Sequence, residues 1–266
     1  MSDARNSLKT NSKSFYWAAL LLPRKTRDDV QLLYAYCREM DDAVDEHNAP
    51  EIVRDSLEKH NDGVGELSAL LKEYEIPPAV MQSFLQGLLD DTTPVKHTEI
   101  SSVLKFGYHV AGTVGIMMCH ILGRKEATTI YYAIDLGVAM QLVNIARDRA
   151  DDMRIQRDYI PADYDQKALV QLAEKYFASG LLGVHKLPIA MRPAIMTAAY
   201  VYRAIGRKII RNLDYAKDNR TVVSKAQKAW LTIFSLAACL RTPKNSKHDS
   251  SLHAAFKDMC YTDGGE

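Results

Sequence analysis

A stripe of polar side chains runs along an apolar helical segment between Gln141 and Tyr159. Gln141, Asn144, Asp148 and Asp152 recur every three or four residues, which places them on one face of an α-helix. The residues between them are mostly apolar, the reverse of the pattern of an ordinary surface helix. Carboxylates that face a core are costly unless cations or a polar ligand meet them. The stripe therefore predicts either a solvated acidic face paired with nearby arginines or a buried site for a charged ligand.

A second stripe of the same kind occurs earlier, where Tyr34, Arg38, Asp41 and Asp45 share one helical face. If the two helices face each other, their carboxylates cannot all stay ionised without counter-charge. Hard divalent cations such as magnesium suit carboxylate oxygens and also recruit phosphate groups. Arginines can hold phosphate oxygens directly, and those in or near the stripes are Arg38, Arg147 and Arg157. The paired stripes predict a site for a diphosphate-bearing substrate.

The rest of the chain is typical of an all-α protein. No sustained alternation of polar and apolar residues indicates a sheet, and neither a dinucleotide-binding glycine motif nor a P-loop is present. Proline and glycine separate the helical segments, so we expect one domain over residues 1–266, with helices around a central cavity. The predicted segments are 13–22, 26–46, 50–74, 78–91, 98–121, 125–154, 165–184, 188–216, 220–241 and 247–260.

Charge, cysteine spacing and apolar runs limit the partners and the cellular location of the protein. The net charge of +1 argues against nucleic acid as a main partner, because no basic excess is available to neutralise phosphates. Cys37, Cys119, Cys239 and Cys260 are far apart without metal-type spacing, which favours reduced thiols in the cytoplasm. The N-terminal residues lack an apolar signal core. The apolar run Ala229–Leu240 is too short to span a bilayer. We interpret it as a buried helix, with a membrane-surface or cavity-lining helix as the alternative.

Two further segments allow more than one interpretation. Asn11, Ser12 and Ser14 open the first helical segment, where their side chains can either cap the helix or hold a diphosphate. The V-A-G-T-V-G segment from Val110 to Gly115 places small residues on one helix face. Because glycine within a helix costs about 1 kcal/mol, this segment predicts either close contact with another helix or room for a bulky apolar substrate.

Other charged segments are interpreted as surface. Asp90 and Asp91 lack acidic partners at helical spacing, so we expect both on the surface. Tyr202 and Arg220 flank a basic helical stretch that, taken alone, is typical of a solvated face.

Together these motifs resemble the squalene/phytoene synthase family. The matching segments stand in the family's order and spacing over about Asn11 to Arg220: S-K-S-F, Y-A-Y-C-R-E-M-D-D-A-V-D, V-A-G-T-V-G, Q-L-V-N-I-A-R-D-R-A-D-D and Y-R-A-I-G-R. They are most similar to those of bacterial phytoene and dehydrosqualene synthases. The resemblance implies an all-α isoprenoid synthase fold and a prenyltransferase that uses magnesium or manganese but no nicotinamide.

The implied reaction is the head-to-head condensation of two prenyl diphosphates. Two molecules of geranylgeranyl diphosphate would give phytoene through prephytoene diphosphate, a step of carotenoid biosynthesis. Because such a product is insoluble in water, we expect a cytoplasmic protein that associates peripherally with the inner face of the membrane through the apolar stretch near Trp230. Three alternatives remain: a farnesyl-diphosphate-using enzyme that makes dehydrosqualene, presqualene diphosphate or hydroxysqualene, a terpene cyclase or chain elongase, and a non-catalytic assembly factor. The retained aspartates argue against the assembly factor, and S-K-S-F and Y-R-A-I-G-R against the cyclase or elongase.

The resemblance also assigns roles to residues of this sequence. The implied metal ligands are Asp41, Asp45, Asn144, Asp148 and Asp152, and the implied catalytic residues are Asp41, Asp45, Asp148, Asp152 and Tyr159. The implied substrate-binding residues are Asn11, Ser12, Ser14, Tyr34, Arg38, Gln141, Arg147, Arg157, Tyr202 and Arg220.

Two positions depart from the family's pattern. Phe106 stands where the family often has tyrosine, so a hydroxyl expected near the diphosphate is absent, and the replacement of that hydroxyl by Tyr108 is left open. Asp158 precedes Tyr159 where the family favours an apolar residue. These departures bear on the rate and on the partition between the two steps rather than on the class of reaction.

The preference for the longer substrate rests on small side chains near the expected diphosphate end. Ala18 and Ala19 follow Phe15 by about one helical turn, and Gln31 precedes Tyr34 by one turn. None of the three is aromatic, so they would leave length for a geranylgeranyl chain. The alternative is that the two alanines only pack between helices.

Overall fold

The prediction of an all-α protein is confirmed by a computed structural model, which describes residues 13–45, 49–65, 67–92, 96–240 and 247–259. In these ranges the regular structure is helical, and the one β-type pairing is an isolated bridge between Lys96 and Asp158. The helices are α1 (Lys13–Ala19), α2 (Arg24–Asp45), α3 (Pro50–Asn61), α4 (Ser68–Glu73), α5 (Pro78–Asp90), α6 (Ile100–Gly107), α7 (Thr113–Ile121), α8 (Ala127–Arg154), α9 (Gln166–Val184), α10 (Arg192–Arg211), α11 (Leu213–Asp218) and α12 (Lys225–Cys239).

Helix α8 lies at the centre of the fold and packs against α7, α9 and α10. Side chains such as Ile130, Ile134 and Leu142 are completely buried along it. The helix is long and apolar enough to cross a membrane, but 67% of its most apolar window is buried within the protein. Its apolar composition is therefore accounted for by packing against the surrounding helices.

Two glycines allow α8 to pack closely against the segment that contains Ala111 and Gly115. A Cβ atom on Gly115 of α7 would lie 2.9 Å from the carbonyl carbon of Ala133. A Cβ atom on Gly137 would lie 2.7 Å from the carbonyl carbon of Ala111. Close helix contact therefore explains Gly115 in the V-A-G-T-V-G segment, while its neighbour Val114 lines a cavity. Close helix contact is confirmed, whereas room for an apolar substrate stays a prediction.

Several element boundaries differ from those expected. The helix expected over 50–74 is interrupted, because Gly63 adopts a positive φ of 73° between α3 and α4. Tyr108–Gly112 forms one π-helical turn between α6 and α7, and Ser250–Phe256 forms a 3₁₀ helix rather than an α-helix. Side-chain period does not separate these variants from an α-helix.

The surface of α12 corrects one interpretation of the sequence. The run Ala229–Leu240 is not a wholly buried helix, since Trp230 is 68% exposed and Ile233 60% exposed. Phe234 and Leu236 are exposed beside them. The other face of α12 packs on α10. Helix α12 therefore presents an apolar outer face.

The cysteine prediction can be checked at three positions. Cys37, Cys119 and Cys239 are buried free thiols, as expected for reduced core cysteines. Cys260 lies outside the described residues.

A candidate active site in the central cavity

A cavity of about 340 Å³ runs beside α8. The lining residues of α8 form a stripe that is polar near Asp148 and Asp152 and apolar near Tyr132 and Ala133. At 1.5 Å per residue, Asp148 and Tyr132 are about 24 Å apart along the helix. The cavity thus joins a charged end to a long apolar end.

Ion pairs link the aspartates of the charged end to arginines. On α2, Arg38 donates to Asp41 at 2.9 Å and also pairs with Asp42. On α8, Arg147 pairs with Asp148, and Arg220 approaches the same carboxylate at 2.9 Å. These arginines balance part of the acidic charge and present guanidinium groups to the cavity.

The crowding of carboxylates changes their proton affinity. Burial raises the pKa of Asp41 to about 7, and Asp45 adds to the rise. Burial likewise raises the pKa of Asp152 to about 7, followed by the charges of Asp148 and Asp45. Both shifts show that ionised carboxylates repel one another here. Added positive charge would relieve this repulsion.

The oxygen atom of one amide has no partner at this end. Asn144 Nδ2 donates to Gln141 Oε1 at 3.2 Å, whereas Asn144 Oδ1 is buried without a hydrogen-bond partner among the described residues. Such an acceptor is costly unless a donor or a cation meets it. With Asp148 one turn away on the same helix face, the donor set consists of oxygens, which suits magnesium or manganese. The residues present therefore fit a divalent ion.

Asp91 belongs to the site, so the prediction that it lies on the surface is wrong. Its side chain is buried, accepts a hydrogen bond from the Tyr159 hydroxyl at 2.5 Å, and lies 3.3 Å from Arg157 Nη1. Arg157 also pairs with Asp45. Burial raises the pKa of Asp91 to about 6, although Arg157 and Tyr159 oppose the rise. Asp90, its neighbour, is exposed as expected.

Phe106 contributes an aromatic wall. Its ring stacks on that of Tyr159, with centroids 5.0 Å apart and planes within 15°. Tyr108 does not supply the missing hydroxyl, because its ring is buried, stacks on Phe256, and its hydroxyl donates to the Met259 carbonyl. Asp158 is tied through its backbone, whose carbonyl accepts from the His97 N–H at 3.1 Å.

Helices α1 and α2 contribute aromatic rings to the cavity wall. Phe15 stacks on Tyr34 with centroids 4.6 Å apart, and both rings line the cavity. Ala18, Ala19 and Gln31 are buried but are not among the described residues that line the cavity. The sequence argument that these side chains set the length of the pocket is therefore wrong.

The cavity brings together the described residues to which the sequence assigned roles. Those that line it are Tyr34, Arg38, Asp41, Asp45, Gln141, Asn144, Arg147, Asp148, Asp152, Arg157, Tyr159, Tyr202 and Arg220. Asn11 and Ser12 lie outside the described residues, as does the side chain of Ser14. The sequence reasoning missed Asp91, for which the available signal was a pair of acidic residues at the end of an apolar helix.

Comparison with known proteins gives consistent results. The family model for squalene/phytoene synthase matches residues 8–168. The chain is 33% identical to the 15-cis-phytoene synthase of Paracoccus sp. (strain N81106 / MBIC 01143), over 85% of this chain and 87% of that one. It is 31% identical to the 15-cis-phytoene synthase of Pantoea ananas, over 88% of this chain and 90% of that one.

Solved structures extend the likeness to three dimensions. A dehydrosqualene synthase crystallised with a ligand matches with a TM-score of 0.81 and 26% identity, over 89% of this chain and 95% of that chain. A squalene synthase from Alicyclobacillus acidocaldarius matches with a TM-score of 0.67 over 79% of this chain and 93% of that chain. Its identity of 17% makes the second match a likeness of fold alone.

Proposed function

Because the chain belongs to the squalene/phytoene synthase family of prenyltransferases and has its isoprenoid synthase fold, we propose that it condenses two geranylgeranyl diphosphates head to head. The product is phytoene, formed through prephytoene diphosphate, and the pathway is carotenoid biosynthesis. The observation that carries this proposal is the cavity, which joins a charged end to an apolar end roughly 24 Å away along α8. Relatives named 15-cis-phytoene synthase support the same product.

In the first step an allylic carbon–oxygen bond breaks and diphosphate leaves with the electron pair. The double bond of the second substrate attacks the resulting allylic cation, and loss of a proton closes the cyclopropane of the intermediate. In the second step this intermediate loses its own diphosphate, rearranges and loses another proton, which gives a triene without reduction. No nicotinamide is needed, because neither step adds a hydride.

The charged end of the cavity serves the leaving group. Arg38, Arg147 and Arg157 offer guanidinium donors that fit phosphate oxygens and remain charged at every working pH. Charge that develops on a departing diphosphate is stabilised most where donors are preorganised and water is excluded. Tyr159, whose hydroxyl is held by Asp91, keeps its proton because burial raises its pKa. It therefore forms a fixed aromatic wall and does not act as a base.

A divalent ion fits the same end. Magnesium or manganese would supply positive charge next to the departing diphosphate. The residues that would hold it are Asp41, Asp45, Asn144, Asp148 and Asp152.

The apolar end protects the carbocation from water. It is lined largely by hydrocarbon side chains, among them Phe84, Val110 and Leu136. A cation enclosed by such side chains reacts with the neighbouring double bond instead of being quenched. Phe106, stacked on Tyr159, places two aromatic rings on the cavity wall.

Product analysis tests the proposal directly. The purified protein is incubated with geranylgeranyl or farnesyl diphosphate and magnesium, without nicotinamide, and the hydrocarbons are identified by mass spectrometry. We expect phytoene from the longer substrate. Dehydrosqualene, presqualene diphosphate or hydroxysqualene as main product would replace the proposal with the farnesyl-using alternative. The absence of any condensation product under all conditions would favour the non-catalytic assembly factor.

We also propose that the enzyme works at the cytoplasmic, inner face of a membrane, because its product is an apolar hydrocarbon. The apolar outer face of α12 supports this, with Trp230, Ile233 and Phe234 exposed. Helix α12 packs on α10, whose Ile195 lines the cavity. A bilayer beside α12 would thus lie one helix away from the bound product.

Liposome co-sedimentation tests this location. We expect the wild type to sediment with vesicles and the double variant Trp230→Ser/Phe234→Ser to stay in solution with its helical content unchanged. Turnover should also fall when vesicles and detergent are omitted. Equal sedimentation of both proteins would contradict a role for α12.

A further inference from the structure

A second cluster of metal-type ligands lies away from the charged end of the cavity. Asp135 of α8 is fully buried, and its two carboxylate oxygens each accept from a different imidazole. His248 Nε2 lies 2.8 Å from Oδ2 and His253 Nε2 lies 2.8 Å from Oδ1. Ser179 of α9 donates to Oδ2 at 2.5 Å. One carboxylate oxygen of Asp135 and one ring nitrogen of each histidine all lie within 4.8 Å of one another.

The charge of Asp135 lacks a permanent positive partner. Among the described residues its hydrogen-bond and ion-pair partners are His248, His253 and Ser179. A neutral imidazole or a hydroxyl can donate a hydrogen bond but does not balance a buried carboxylate. A bound dication would balance it. Each Nε2 would first lose the proton that it now donates to Asp135, by transfer to Nδ1 or by release to solvent, and would then offer its lone pair to the ion.

We propose that Asp135, His248 and His253 bind one transition-metal ion of the zinc class. Imidazole nitrogen selects such borderline metals over magnesium, which prefers oxygen ligands. With three protein ligands, a water molecule can complete a four-coordinate site. Ser179 would orient the carboxylate from outside the coordination sphere, as hydrogen-bond donors commonly do around metal ligands. This site is chemically distinct from the oxygen-only donor set beside the diphosphate region and does not depend on the proposed reaction.

The ion would fasten the C-terminal segment to the helical core. His248 and His253 bracket the start of the 3₁₀ helix, whereas Asp135 belongs to α8. The same segment is held by Tyr176, whose hydroxyl donates to the Leu252 carbonyl at 2.6 Å, and by Phe256, which stacks on Tyr108 of the π-helical turn. His248 also meets Tyr132 edge-on at 5.1 Å, and Tyr132 lines the apolar end of the cavity. A metal ion held by His248 would therefore help to fix the position of Tyr132 in the cavity wall.

Metal binding by the intact chain tests the proposal. The purified protein is stripped with a chelator, saturated with magnesium to fill the oxygen-only site, and titrated with zinc against a chromogenic competitor. We expect about one equivalent of zinc by elemental analysis, in line with a single mononuclear site. His248→Gln and His253→Gln should each weaken zinc binding at least about 100-fold, since even outer-sphere changes cost 10–100-fold. Ser179→Ala should weaken it by about 10–100-fold.

Matched variants distinguish metal coordination from direct hydrogen bonding between Asp135 and the two histidines. Glutamine keeps a donor for Asp135, so both cluster variants should fold, which circular dichroism checks. His185→Gln changes a histidine at the end of α9, outside the cluster, and should leave zinc binding unchanged. Cobalt added in place of zinc should give visible absorption bands in the wild type and lose them in both cluster variants. No zinc retained by the wild type, or equal retention by wild type and cluster variants, would overturn the proposal whether or not the enzyme turns over.

Discussion

Replacing Ala133 by phenylalanine should lower kcat/KM for geranylgeranyl diphosphate relative to that for farnesyl diphosphate. Ala133 lines the apolar part of the cavity, about 22 Å along α8 from Asp148. A geranylgeranyl chain exceeds a farnesyl chain by one five-carbon unit, whose burial is worth about 0.8 kcal/mol per carbon, or about 4 kcal/mol. If a phenyl group excludes that unit, the ratio of the two kcat/KM values changes by up to roughly a thousandfold. We expect at least a tenfold change, about 1.4 kcal/mol, because part of the unit can bend aside.

The assay is a competition in which both diphosphates are present at equal concentration and the hydrocarbon products are counted by mass spectrometry. Ala178→Phe is the matched control, because Ala178 is exposed on the outer face of α9. It should leave the product ratio unchanged. A folded Ala133→Phe variant with the wild-type ratio, or with equal loss for both substrates, would refute the assignment of Ala133 to the end of the chain-binding region.

Three other changes address the charge, the buried ion pair and the helix contact. Asp148→Asn should lower kcat by roughly 10²–10³-fold or more with the fold intact. Chelation of divalent metal should abolish the activity of the wild type. Full turnover by the variant with magnesium would contradict the assignment of Asp148 as a metal ligand. Asp91→Ala should cost about 3 kcal/mol in the free energy of unfolding, because it strips a partner from buried Arg157; an unchanged denaturation midpoint would contradict this role. Gly137→Ala should destabilise the protein by about 1–3 kcal/mol, because the new Cβ atom overlaps with backbone. The control Gly107→Ala, whose Cβ atom would meet only ordinary contacts at 3.8 Å, should be neutral or stabilising. Equal melting temperatures for the two glycine variants would argue against the close contact.

The sequence predicted those parts of the site that lie on regular helices. The two stripes on α2 and α8 repeat at helical spacing, so periodicity predicted which side chains share each helix face. That the two faces meet in one cavity was a hypothesis, and the structure confirms it. Asp91 escaped because it follows the last residue of α5 and reaches the site through contacts with Arg157 and Tyr159, far away in the sequence. No local pattern encodes such a contact.

Other features depended on packing that a single sequence does not display. Asp135 stands alone in an apolar stretch, and that isolation was a usable signal of a buried carboxylate, but its histidine partners come more than 100 residues later. The π-helical turn at Tyr108–Gly112 has no signature in side-chain period. The exposed face of α12 could not be told from a buried one, because both are equally apolar.

The reciprocal glycine contacts have a consequence for how the cavity behaves during a reaction. Gly115 lies against the backbone of Ala133, and Gly137 lies against that of Ala111. A change of register that put any other residue in place of either glycine would force its Cβ atom against a backbone carbonyl group. Helix α8 is therefore held in register at two points, by α7 at Gly115 and by the π-helical turn at Ala111. If diphosphate leaves the site as proposed, we expect the carboxylates on α8 to keep their axial position relative to the facing helix wall throughout the reaction.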